Sequence, residues 1–259
     1  MKRFNVFLAL FFLCSFAVGS AFASDKGTVN WIAGYIEARG EAVVPAEKAG
    51  TAQGELLAKR GAMVDLQRNM LEIIQGVQVD GMTTMKDFEA SDRVRTEVRG
   101  LVKGIQVIDA SFKDGIYSVA GRVPIVEVRK VVAPEVCPKP AKPAAQRTGK
   151  LTGVVIDARH LPVVPATTFR VLGEDGQIVY SVQQVDYDRF MQSGLCQYHD
   201  NINYAKGLGM LGPNFITVKV RRLTNGNVDL VLSNADAAKL AGYQPFKKSC
   251  SVAVVLWRM

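Results

Sequence analysis

The sequence predicts an α+β protein of two domains, each a mostly antiparallel sheet with one or more packed helices, joined by a Pro-rich linker. Three observations predict it. Apolar residues recur at helical spacing over 53–75, between segments that alternate like strands. Asp-Gly and Asn-Gly pairs stand between alternating runs at Asp114-Gly115, Asp175-Gly176 and Asn225-Gly226, residues that accept the positive φ of tight hairpins. Residues 131–150 carry Pro134, Pro138, Pro140 and Pro143 among Lys and Ala without apolar periodicity, the composition of an extended, semi-rigid linker. The expected boundaries are a first domain over 25–130, a linker over 131–150 and a second domain over 151–259.

Ahead of these domains stands Met1-Lys2-Arg3, then an apolar run from Val6 to Val18, then Gly19-Ser20-Ala21-Phe22-Ala23. A basic start, a short apolar stretch and a small-x-small ending form a signal peptide over 1–23, cleaved before Ser24. The run is too short to span a bilayer, which needs about 20 residues. Cys14 sits in mid-run behind Phe11-Phe12-Leu13, not at its end, so it does not read as a lipidation site. The expectation is a periplasmic protein in a compartment that permits disulfides.

Val29 to Ala42 alternates as one strand, with Trp31, Ala33 and Tyr35 on one face. Leu56, Leu57, Met63, Val64, Met70, Leu71, Ile74 and Val77 form the apolar stripe of a long helix, opposite Asp65, Arg68 and Glu72. Lys59 and Arg60 sit at and within that stripe, where long basic chains snorkel to water. A shorter helix starts at Ser91 or Asp92 with Val94 and Val98 inward, and Ile105–Phe112 with Ile116–Ile125 form a hairpin. In the second domain, Leu151–Ala158 reads as a near-continuous buried strand. Phe169–Leu172 with Ile178–Ser181, and Phe215–Leu223 with Val228–Leu232, read as hairpins. Ser233 or Asn234 caps a short helix ended by Gly242, and Val252–Trp257 closes the chain as a strand.

The formal charge of +8 includes Lys2 and Arg3, so the processed chain keeps a modest basic excess. That suits a mixed-charge surface or peripheral contact with anionic head groups. Without clustered Lys and Arg interleaved with aromatics, nucleic-acid binding has no support.

Ala58-Lys59-Arg60-Gly61-Ala62-Met63-Val64-Asp65-Leu66-Gln67-Arg68-Asn69-Met70-Leu71-Glu72, followed by Arg95-Thr96-Glu97-Val98-Arg99-Gly100-Leu101-Val102-Lys103-Gly104, resembles the envelope lipoprotein family named for a twenty-kilodalton outer-membrane lipoprotein. The same helix and strands are similar to the N-terminal domain of flagellar assembly protein T, over about residues 29–126. Thr152–Arg159 and Val231–Ala237 look like segments that accompany this domain in exported relatives. The resemblance implies a non-catalytic assembly or interaction module of the envelope, associated with flagella or the outer membrane, whose partners are envelope or appendage proteins. It implies no catalytic residue, and the chain departs from the lipoprotein family in lacking the lipidation cysteine.

Four groups of residues bear on chemistry. Gly207-Leu208-Gly209-Met210-Leu211-Gly212 has the spacing of a dinucleotide loop, with Asp229 downstream, but Pro213-Asn214 and a strand follow where a helix is required. Cys196, His199 and Asp200 group a thiol, an imidazole and a carboxylate, short of the three or four ligands zinc needs unless His160 or Cys250 joins them. No cofactor, metal or catalytic set is therefore expected. Asp157, Arg159 and His160 gather at the end of the first strand of the second domain, the candidate ligand-binding residues. The alternative function is a periplasmic ligand-binding protein or enzyme whose cleft unites these three with His199. Of the cysteines that remain after cleavage, Cys196 and Cys250 share the second domain and are expected to form a disulfide. Cys137 is expected to be free and exposed in the linker.

Overall fold

The structure, a computed structural model, describes residues 26–137, 150–242 and 245–257. The signal-peptide expectation, and the linker expectation over 138–149, lie outside the described residues.

The first domain orders its elements β1 (Gly27–Asn30), β2 (Tyr35–Val43), α1 (Ala52–Gln75), α2 (Met85–Phe88), α3 (Asp92–Lys103), β3 (Gln106–Lys113), β4 (Ile116–Pro124) and α4 (Ile125–Val136). Its sheet is antiparallel throughout, in the order β1-β2-β4-β3. The segment expected as one strand over Val29–Ala42 is two: Asn30 Oδ1 accepts from Ala33 N at 2.8 Å, Gly34 takes φ +77°, and the chain reverses at Trp31. The alternating pattern was blind to this turn because its residues keep the same polarity rhythm. The Asp114-Gly115 hairpin forms as expected, both residues at positive φ.

Helix α1 starts where Thr51 accepts from Gly54 N. Its buried face matches the expected stripe only toward the C-terminal end, at Met70, Ile74 and, just beyond the helix, Val77. Ala58, Ala62, Leu66, Met70 and Ile74 are buried, whereas Leu56, Leu57 and Val64 are exposed. The helix lies so close on β2 that a Cβ at Gly40 would overlap the backbone of Leu66 and Ala62. Small residues win the contact because they allow that approach. Lys59 and Arg60 are exposed.

Helix α4 corrects the linker boundary. Residues 131–136 continue this helix with Pro134 inside it, and Cys137, expected exposed, is buried. Ile125, Val128, Val131 and Val132 belong to the first domain's core, while Ala133 and Cys137 belong to the second's. One helix therefore serves both cores, and Trp31 and Val136 pack against both. Thr167 N donates to Gln78 O at 3.0 Å and Thr168 N to Val79 O at 2.7 Å, so the domains also share backbone hydrogen bonds.

The second domain runs β5 (Gly153–Asp157), β6 (Val171–Gly173), β7 (Ile178–Tyr180), α5 (Tyr187–Ser193), β8 (Gln197–His199), α6 (Ile202–Lys206), β9 (Phe215–Thr224), β10 (Asp229–Leu232), α7 (Asn234–Leu240), α8 (Pro245–Ser249) and β11 (Val252–Val255). Its seven strands follow the order β7-β6-β10-β9-β5-β11-β8. The two expected hairpins form, but this sheet is mixed rather than mostly antiparallel: β5 pairs parallel with β9 and β11, β11 with β8, and β10 with β6. β5 and β11 are buried on both faces, which explains their unbroken apolar sequence. The protein is thus α+β with two domains, as expected.

Candidate functional site

The residues flagged in sequence divide between two places. Asp157, at the end of β5, accepts from Arg159 Nε at 2.9 Å and Nη2 at 2.8 Å. This fork-to-fork pair and a bond from Arg159 N hold the Asp157 carboxyl below its ordinary range. Arg159 and His160 are exposed. His160 lines an apolar groove of about 370 Å³ with Leu161, Pro162, Val163, Leu256 and Trp257, to which Asp157 and Arg159 contribute nothing. His199 lines a different cavity. The cleft expected to unite Asp157, Arg159, His160 and His199 does not form.

The glycine loop is a packing feature. Gly207 caps α6, and a Cβ at Gly153 would overlap the backbone of Leu211, so the loop lies directly on β5. Thr152 Oγ1 donates to Leu211 O at 2.7 Å and accepts from Asn214 N at 3.0 Å. Asp229 faces elsewhere, buried against Arg170.

The expected disulfide is also corrected: Cys196, Cys250 and Cys137 are free thiols. The parallel register sets Gln197 beside Ala253, so Cys196 falls level with Val252 and Cys250 is displaced along the strand. Burial raises all three thiols, Cys137 to about 11 and Cys250 to about 12, opposing nucleophilic use. Among the described residues no His, Cys, Asp or Glu side chains group in a metal-binding set.

Another concavity lies between the domains. It measures about 220 Å³ and is lined by Trp31, Ile125 and Arg129 of the first domain and by Phe169, Gly194, Tyr198 and His199 of the second, among others. The Trp31 and Tyr198 rings meet edge to face at 5.7 Å and 74°, a geometry worth about 0.5–1.5 kcal/mol beyond burial. Ala166 N donates to the Tyr198 hydroxyl at 3.2 Å, and that hydroxyl donates to Ala166 O at 3.1 Å, fixing the ring.

Arg129 projects from α4 against Gly194, whose φ is +75°; a Cβ there would stand 3.0 Å from the guanidinium carbon. Among the described residues its hydrogen bond is a long 3.4 Å contact to Met191 O, and no carboxylate pairs with it. Burial pulls its affinity for the proton down. His199 Nε2 is buried without a hydrogen-bond partner among the described residues. Burial lowers its pKa, with Asp200 acting against.

Sequence reading missed Trp31, Arg129, Gly194 and Tyr198 as a group. Arg129 stands between Val128 and Lys130 with Glu127 close by, an ordinary charged stretch, so no local signal marked it.

No curated protein matches the chain. Residues 153–258 match the family model described as Treponema pallidum Tp0624, second domain. The second domain of this protein is therefore similar in sequence to a domain that also occupies second place in its own chain.

Proposed function

We propose that this protein is an exported envelope component acting as a non-catalytic assembly or interaction module, with its first domain docking a partner along β3. The observation that carries this is the edge of the first sheet. β3 is its outermost strand, all eight of its residues are exposed, and Val107, Ile108 and Phe112 present apolar surface. The other sheet edges, β1, β7 and β8, are strands of three or four residues. Short edges resist pairing, whereas a long one offers unpaired N–H and C=O groups to an added strand. A bulge at Ile108 interrupts the edge, leaving Asp109–Lys113 as the regular run.

The signal-peptide pattern of 1–23 and the resemblance to envelope lipoproteins and flagellar assembly protein T support the same reading. They make envelope or appendage proteins the expected partners. The alternative built on Asp157, Arg159 and His160 loses support because Asp157 and Arg159 neutralise each other.

Photo-crosslinkers at Ala110 and Phe112, with Glu174 as control, test the proposal in fractionated cells. The expected result is a chain beginning at Ser24 in the envelope fraction that crosslinks to an envelope protein from the β3 positions and not from Glu174. An unprocessed cytoplasmic chain, or equal crosslinking from all three positions, overturns it.

A further inference from the structure

We propose that the cavity between the domains binds a small organic carboxylate, its charged end on Arg129 and its apolar body against Trp31 and Phe169. The inference stands apart from docking through β3.

A guanidinium keeps its proton at every pH the fold survives, so a partly buried arginine must be compensated or bear the cost of desolvation. Arg129 has no carboxylate partner among the described residues. The thiols beside it do not compensate it, because burial keeps them protonated. The molecule nevertheless makes room for it, using a glycine at positive φ where any side chain would press on the guanidinium. Such accommodation of an unpaired cation on a cavity wall describes half of an ion pair.

The geometry also narrows the ligand. The cavity offers one fixed cation beside an imidazole that burial favours as neutral, which suits a monoanion and disfavours a dianionic phosphate. The planar guanidinium fork matches the two oxygens of a carboxylate. Trp31, Ile32 and Phe169 offer apolar wall, so a ligand with a planar or apolar body gains more than acetate. Because the walls come from both domains, the bound molecule would also fasten them together.

The two tryptophans make the test direct. Trp31 lines this cavity and Trp257 the separate apolar groove, so Trp257→Phe leaves one reporter at the site. In that variant benzoate should change Trp31 emission saturably, with the same affinity by calorimetry. Acetate should bind about tenfold more weakly, and inorganic phosphate should give no saturable change. Adding Arg129→Met should weaken benzoate at least about tenfold, with Arg129→Lys intermediate because it keeps the charge and loses the fork. Should Arg129→Met fail to fold, Arg129→Lys carries the comparison alone. Silence toward benzoate up to about 10 mM by both methods overturns the proposal. So does unchanged benzoate affinity in the Arg129 variants, or phosphate binding as tightly as benzoate.

Discussion

Arg159 and Arg129 are both arginines at the margins of the second domain's sheet, and their surroundings are opposite. Arg159 stands two residues from Asp157, forks onto its carboxylate and faces water. Arg129 is 65 residues from Gly194, presses on it from another domain, and meets no carboxylate among the described residues. A charged cluster that is close in sequence tends to satisfy itself, because neighbouring opposite charges reach each other first. An unsatisfied charge, which can recognise something else, arises where distant segments meet.

Asp229 gives the buried extreme of this comparison and the largest expected effect. Its buried carboxylate accepts from Arg170 N, Nε and Nη2 at 2.8, 2.9 and 2.6 Å. Asp229→Ala should cost about 3 kcal/mol in denaturant unfolding, since it strands a backbone donor as well as the guanidinium. A loss below about 1 kcal/mol would mean that buried pairing matters little here.

Lys247 sharpens the contrast, because a buried lysine can shed its proton and an arginine cannot. Burial lowers Lys247 to about 8, against an ordinary value of 10.5. Below pH 8 both folded and unfolded lysines are charged, and the fold carries the full cost. Between about 8 and 10.5 the unfolded chain binds more protons, so stability should rise with pH, on the order of 3 kcal/mol. Unfolding curves across that window should show the rise, and Lys247→Met should flatten it.

Arg129→Met, measured without added anion, should leave stability unchanged or raise it by about 1 kcal/mol, since it removes an unpaired charge and keeps volume. A loss above about 2 kcal/mol would reveal a structural partner for Arg129 and break the comparison. The smallest effect belongs to Arg159→Ala, within about 0.5 kcal/mol at neutral pH because the pair faces water. The lowered Asp157 carboxyl contributes stability at neutral pH that disappears as pH falls through its folded value, below 3.8. Acid titration of the melting temperature should show that loss in the parent chain and not in Arg159→Ala.

Much of the fold was legible wherever local chemistry decides it. Asp114-Gly115 and Asn225-Gly226 demanded positive φ and received it, and Ser233 capped α7 through Asp236 N. Val94 and Val98 faced inward on α3 as their spacing required. The buried face of α1 was less legible, because apolarity marks Leu56 and Leu57 while the contact selects Ala58 and Ala62 for their size. Proline content suggested a linker through 131–136, yet Pro134 stands near a helix end where few backbone bonds are lost.

The sequence by itself determined the α+β class, two domains, the hairpins and the cap positions, because each depends on residues a few places apart. Only the tertiary structure decided that α4 joins two cores, that β8 lies parallel to β11 with Cys196 and Cys250 out of register, and that Trp31, Arg129 and Gly194 enclose one cavity. Those features depend on which distant surfaces meet, and that choice is made by packing summed over the whole molecule rather than by any local signal.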